Sequence, residues 1–272
     1  MKVNPRSLIL NLLLAQDGEP LSARDAVAAC ALFGISGNSV RVTLARLSAA
    51  GLIEAEGRGA YRLGPDAEGL AADVATWRHA EQRVCEWRGG WVAVHVGGLG
   101  RSDRVALRAR DRALALLGLR ELERGLFLRP DNLAGGVAAA RERLYKLGLE
   151  REASVFLAQD FDAGHEQRAR ALWDGAALDR IYRETRQRLE AWLERADSLE
   201  PDVAARESFL LGNEAIRQLV FDPLLPAPLV DVAARREFAT SVRRFDEAGR
   251  RIWQRLVSAR GDSAPLPRTV RH

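Results

Sequence analysis

Between Ser36 and Arg46 the chain carries hydroxyl, carboxamide, guanidinium and methyl groups at helical spacing: Ser36, Asn38, Ser39, Arg41, Val42, Thr43 and Arg46. These are groups that read base-pair edges. A guanidinium grips guanine or a phosphate through two parallel bonds, an amide matches adenine, and methyl groups pack on thymine. The chemistry indicated is recognition of duplex DNA in its major groove. Val40, Leu44 and Leu47 recur at i, i+4 and i+7, so the same helix has an apolar stripe to bury on the opposite side. Taken alone, the polar face could equally be an ordinary solvated surface, which is the commoner use of a helix bearing two arginines.

The neighbouring elements favour recognition. Ser22 is placed to cap a short helix carrying Val27, Ala31 and Leu32, which stops at Gly34. Ile35 and Ser36 make the turn into the second helix. After Gly51 the pattern changes to two short strands, Leu52 to Glu56 and Ala60 to Leu63, around Gly57-Arg58-Gly59. Arg58 at that tip is expected to reach the DNA backbone or minor groove, although Glu54 and Glu56 keep the hairpin from being a purely basic finger. Helix, turn, helix and β-hairpin in that order predict a winged helix-turn-helix over residues 1–65.

That region is about a quarter of the 272 residues, so further domains are required. With 47% hydrophobic and 29% charged residues the composition is that of a globular protein, not a disordered one. The 41 basic residues nearly balance 37 acidic ones, leaving +4, which is compatible with nucleic acid without requiring it. Lys2 and Arg6 ahead of Leu8 to Ala15 resemble a signal peptide superficially, but Asn11 interrupts the run and no cleavage motif follows, so it is read as the first helix of the N-terminal domain. No stretch is apolar enough to span a membrane, and a cytoplasmic location is expected. Cys30 and Cys85 form no disulfide or metal spacing and are read as buried apolar residues.

Beyond Pro65, apolar residues at Leu70, Val74, Trp77, Val84 and Trp87 predict a connecting helix over 66–87, with Glu81 interrupting its seam. Residues 88–163 alternate strands (Trp91 to Val96, Gly125 to Pro130, Ser154 to Ala158) with helices (Val105 to Leu117, Val137 to Leu147). This predicts a small ferredoxin-like sheet with helices on one face. From 164 to 258 helical stripes dominate: Leu178, Ile181, Tyr182, Thr185, Leu189 and Trp192; then Phe209, Ile216, Leu219 and Val220; then Phe238, Val242, Phe245, Ile252 and Leu256. The tail 259–272 is expected to be disordered. The fold class expected is α+β and mostly helical.

No catalytic constellation stands out. The four histidines are scattered, and no metal, nucleophile-elbow or phosphate-loop motif occurs; Gly97-Gly98-x-Gly100 reads as a tight turn. No cofactor is expected. Asp160 and Asp162 at a strand end could hold a metal in a nuclease, but no histidine or glutamate beside them completes a site.

Several strings resemble the PaaX family of bacterial transcriptional regulators. They are Trp87-x-Gly89-Gly90-Trp91, Gly125-Leu126-Phe127-Leu128-Arg129-Pro130, Leu172-Trp173-Asp174, the recognition string Val40-Arg41-x-Thr43-x-x-Arg46-Leu47, and above all Phe221-Asp222-Pro223-Leu224-Leu225-Pro226-Ala227-Pro228-Leu229. The resemblance covers about residues 5 to 257. It implies a transcriptional regulator with a winged helix, a ferredoxin-like middle domain and a helical C-terminal domain; a homodimeric repressor is expected, because one winged helix reads few base pairs and two related by a two-fold axis read a palindrome. It also implies an acyl-CoA effector, phenylacetyl-CoA in the best-known members, controlling an aromatic catabolic operon. An effector of that kind needs a cation for its phosphates and an apolar slot, for which Arg129 and Trp173 are the candidates. The chain departs from the family after Leu229. It runs Val230-Asp231-Val232-Ala233-Ala234 where a Trp-Pro-Gly-like stretch is usual, which puts the ligand in question. Two other readings stay open on the residues: a metal-dependent nuclease targeted by the winged helix, and a module whose winged helix contacts another protein.

Overall fold

The computed structural model describes residues 3–15, 18–57, 59–65, 67, 76–100 and 102–261. Among these residues the protein is a mixed α and β fold, mostly helical, with two small antiparallel sheets. Its contacts divide it into two compact units. One takes the chain to Thr76 with Ala191–Asn213 and the segment from Arg244; the other holds Trp77–Glu190 and Glu214–Arg243. No helix of the described residues is long and apolar enough to cross a membrane.

The N-terminal unit begins with α1 (Pro5–Ala15), whose Leu8, Ile9, Leu12 and Leu13 are buried. Asn11, the interruption in that apolar run, donates its amide to Asn213 Oδ1 at 3.1 Å. Helix α2 (Ala23–Ala31) starts at Ser22, whose hydroxyl accepts the Asp25 N–H, as its sequence position led one to expect. Gly34 turns the chain in the left-handed region, φ 71°, and α3 (Gly37–Ala49) follows. A three-stranded sheet, β1 (Leu21–Ser22), β2 (Ile53–Ala55) and β3 (Ala60–Leu63), has the order β1-β3-β2. Gly64 lies against Gly51 so closely that a Cβ on it would fall 2.2 Å from the Gly51 carbonyl oxygen, and this near contact closes the base of the hairpin. Phe209 and Trp253, from far along the chain, complete the core around Phe33.

In the second unit β4 (Trp91–His95) leads through α4 (Arg104–Leu116) to β5 (Arg120–Glu123) and β6 (Leu126–Pro130). Helix α5 (Gly136–Lys146) then leads to β7 (Ser154–Ala158). The sheet order is β5-β6-β4-β7, antiparallel throughout. Alternation along β4 divides the core. Val92 and Val94 face Ala113, Leu114 and Leu144 of α4 and α5, whereas Trp91 and Ala93 face Trp173, Leu225 and Val230. Four strands are present where the apolar runs indicated three. Strand β5 reads Arg-Glu-Leu-Glu and is mostly exposed at a sheet edge, so no hydrophobic alternation marks it.

Residues 66 and 68–75 of the connecting helix expected at 66–87 lie outside the described residues. From Thr76 to Arg83 the chain is a 3-10 helix rather than an α-helix, and Val84 to Trp87 are not helical. The buried Trp77 and Ala80 are three residues apart, which suits three residues per turn, and beyond it Val84 bridges to Leu133. Helix α6 (Ala163–Arg170) precedes three long ones, α7 (Gly175–Arg195), α8 (Pro201–Val220) and α9 (Val232–Gly261). The predicted stripes place Tyr182, Leu189, Trp192, Leu219, Phe238, Val242 and Phe245 in the interior, but Ile181 is exposed. Cys30 is buried and its thiol is pushed up to about 11 by desolvation, whereas Cys85 is exposed, contrary to the apolar-core reading. The tail 262–272 lies outside the described residues.

Candidate nucleic-acid interface

Helix α3 is built from its cap. Ser36 has extended backbone, φ −68° and ψ 146°, and its Oγ accepts the Ser39 N–H at 3.3 Å. The Ser36 hydroxyl also bonds Ser39 Oγ at 3.0 Å, and Thr43 Oγ1 donates to the Ser39 carbonyl at 2.7 Å. These local bonds stiffen the first two turns. Val40, Leu44 and Leu47 are buried in the core with Leu8 and Ile9, which fixes the rotation of the helix about its axis. A Cβ on Gly37 would lie 3.3 Å from Val27, so glycine there lets α3 start close against α2.

With that rotation set, Ser36, Asn38, Ser39, Arg41, Val42 and Arg46 are exposed and Thr43 is half-buried. The structure brings these sequence-predicted residues onto the solvent side of α3. Val42 leaves 42% of its surface to water, and an apolar side chain so placed contributes nothing to the core. Among the described residues neither Arg41 nor Arg46 has an ion-pair or hydrogen-bond partner. By contrast, Arg62 on β3 is matched across the hairpin by Glu54 at 3.4 Å, in the cross-strand register of that pair. Arg58 lies outside the described residues, between Gly57 and Gly59, whose positive φ values of 69° and 75° shape the tip. Replacing Ser36 with alanine should cost about 1 kcal/mol of stability, as expected for a lost N-cap, which denaturant unfolding would register as a lower midpoint.

The two residues suggested for an effector are occupied otherwise. Arg129 is 2% exposed and donates to the carbonyls of Pro130, Leu117 and Pro223 and to Asn132 Oδ1. Burial, with Arg83 repelling it, pulls its pKa down to about 10. Such a guanidinium ties β6 to the 222–225 segment and presents no free fork to a phosphate. Trp173 is 8% exposed, stacked on Trp91 with the rings 3° from parallel, and its indole N–H donates to the Gly118 carbonyl. Both residues grip the same turn at Leu117–Gly118, so they are brought together by the fold, as packing elements.

Sequence reasoning passed over the network to which Arg129 belongs. Asn132 donates to the Leu224 carbonyl at 2.7 Å, Asp222 accepts the Leu224 N–H at 2.7 Å, and the fully buried Arg235 donates to the Leu225 carbonyl and to Glu81. Leu224 is thereby held at φ 51°, a left-handed conformation that costs a non-glycine residue roughly 1–3 kcal/mol. Burial raises the Asp222 carboxyl despite the N–H it accepts. The signal in the sequence was Glu81, the charge that broke an otherwise apolar seam. The carboxylates suggested for a metal are likewise engaged or isolated. Asp162 caps α6 by accepting the His165 N–H and also bonds the His165 ring, Asp160 is exposed at φ 58°, and no metal-holding cluster occurs among the described residues.

Comparison with known proteins was made on both sequence and structure. The family model for the PaaX-like protein matches residues 4–67, and that for the PaaX-like protein C-terminal domain matches residues 173–255. Among curated proteins none matches. Among solved structures, an uncharacterized protein, Rv0674 from Mycobacterium tuberculosis, is 22% identical with a TM-score of 0.55 over 90% of this chain and 98% of that one, a likeness of fold alone. The two family segments span rather more than half the sequence and include α3 with its exposed arginines; the chain belongs to the PaaX family.

Proposed function

We propose that this protein is a cytoplasmic, homodimeric transcriptional regulator that binds operator DNA through α3 and is released from it by an acyl-CoA thioester. The observation that carries the reading is the face of α3, where two exposed arginines stand without partners among the described residues, beside an exposed valine and the polar Ser36 cap. The α2–α3 pair followed by the β2–β3 hairpin supports a winged helix-turn-helix. The order strand-helix-strand-strand-helix-strand with the sheet order β5-β6-β4-β7 supports a ferredoxin-like second unit. One recognition helix reads few base pairs, so a two-fold dimer on half-sites a helical turn or a multiple apart is the expected arrangement. Family membership supports repression of an aromatic catabolic operon, with phenylacetyl-CoA or a related thioester as effector. The effector acts by binding the DNA-incompetent state more tightly. Arg129 and Trp173 spend their polar atoms on the protein, so an effector that touched them would have to displace those bonds.

The reading is tested by titrating the protein against its own upstream intergenic DNA at fixed salt, with and without a panel of aryl- and aliphatic acyl-CoA thioesters. Specific binding that one thioester abolishes is the expected result. Binding that no thioester alters would remove the effector from the reading, and absence of specific binding would remove the reading itself.

A further inference from the structure

Several arginines on the helices of the second unit are matched by acids. Arg168 meets Glu123, Arg170 meets Glu166, Arg183 meets Asp231, Arg186 meets Glu237, and Arg188 meets Glu214. Helix α4 departs from this pattern. Arg104, Arg108 and Arg112 stand at i, i+4 and i+8, all exposed, and none has an ion-pair or hydrogen-bond partner among the described residues. Successive members are about 6 Å apart along the axis and about 40° apart around it, so the three form one shallow row about 12 Å long.

Two acids lie on the same helix, and neither neutralises the row. Asp103 is consumed as the N-cap, accepting the N–H groups of Val105 at 2.8 Å and Ala106 at 3.2 Å. Asp111 sits beside Arg112 in sequence and on the margin of the row without pairing to it, which leaves a net positive stripe.

Helix stability does not account for these charges. Arg104 occupies the first turn, where the helix dipole disfavours a cation, and the last turn has no basic residue. The buried arginine of this helix, Arg110, shows what a structural one does here: it is paired with Glu150 and bonded to the Gly100 carbonyl at 3.1 Å. Val105 shares the flank of Arg108 and Arg112 and is 76% exposed, an apolar side chain with no core to serve.

We propose that the α4 row is a second nucleic-acid contact, which grips the phosphate backbone of duplex DNA outside the base pairs read by α3. The ligand chemistry follows from charge complementarity. Three guanidinium groups in about 12 Å face a polyanion that carries one phosphate per ~3.4 Å of axis on each strand, and arginine binds phosphate through two bonds at once. No base-reading amide accompanies them, so the row adds affinity without sequence preference. The inference rests on the DNA-binding reading above and extends it to the second unit.

The test is Arg104→Gln/Arg108→Gln/Arg112→Gln in the full chain, titrated on an operator fragment with long flanks and on one trimmed to the footprint of the base contacts, over a series of salt concentrations. The wild type should show a steeper dependence of log affinity on log salt on the long fragment. The variant should lose about 2 to 3 units of that slope and bind the long fragment at least tenfold more weakly, with unchanged preference for operator over scrambled sequence. Equal slopes for variant and wild type on the long fragment would overturn the inference while leaving DNA binding intact; that outcome would assign the row to an acidic protein surface instead. Failure of the wild type to bind either fragment specifically would overturn the DNA reading as a whole, and this inference with it. Because the three side chains are exposed and make no hydrogen bond or ion pair among the described residues, an unchanged unfolding midpoint is expected of the variant.

Discussion

An Arg41→Ala variant is expected to bind operator DNA with a Kd five- to a hundredfold higher, a loss of about 1–3 kcal/mol, and to unfold at the same denaturant concentration as the wild type. Both halves of the expectation come from one feature: the Arg41 side chain is exposed and has no partner among the described residues, so its removal costs the fold nothing. Arg46 lies five residues on and is equally free, but the two need not act alike. If Arg41 reads a base, its loss should flatten the discrimination between operator and single-base variants at one position. If Arg46 holds a phosphate, its loss should weaken all sequences together and lower the salt slope by about 1. Titrating both alanine variants against a set of operator mutants separates the roles. Unchanged affinity in both would assign the α3 face to a protein partner, which is the interaction-module alternative.

The α3 face was legible in the sequence because it follows from periodicity and local capping. Val40, Leu44 and Leu47 set which side is buried, and Ser36 sets where the helix starts; both are short-range properties that a linear pattern records. Strands β4, β6 and β7 were legible because each is a short apolar run. Strand β5 was not, since a polar edge strand owes its place to pairing with β6 rather than to its own side chains. The connecting segment was misread where an apolar spacing of three suits a 3-10 turn as well as an α-helix. Arg129 and Trp173 were identified as notable residues, but their packing partners were not. A sequence shows that a cation or an aromatic ring stands at a strand end or a helix head. It does not show that the carbonyls of Leu117, Gly118 and Pro223 converge on them, because those come from segments far apart in the chain. The Asp222 to Leu225 stretch illustrates the same limit. Its composition marks it as distinctive, yet its conformation is dictated by donors on β6, after β6 and on α9.

The stability of the second unit should depend on one of those donors more than on any exposed arginine. Arg235 is wholly buried, its Nε and Nη2 hold the Glu81 carboxylate at 2.7 and 3.3 Å, and its Nη1 holds the Leu225 carbonyl. Burial pulls its pKa down, but the bonded Glu81 and nearby Asp222 outweigh that and keep it above the ordinary value, which favours the charged guanidinium. Arg235→Met removes that charge and leaves a carboxylate only 18% exposed, with Arg236 at 3.6 Å as its remaining counterion, and a carbonyl without its donor. Breaking a buried pair from one side in this way costs about 3–5 kcal/mol, which urea unfolding would register as a lower midpoint. The double variant Arg235→Met/Glu81→Met leaves no stranded Glu81 carboxylate and should recover part of the loss, the coupling that a double-mutant cycle measures. Equal destabilisation by the single and the double variant would mean that the methylene stem of Arg235, not its charge, packs the segment. A recovery would mean that the ion pair specifies how the Thr76–Arg83 helix meets α9, with the Leu224 turn fastened through the same guanidinium. In that case the residue that interrupted an apolar seam in the sequence is the one that orders the residues around it.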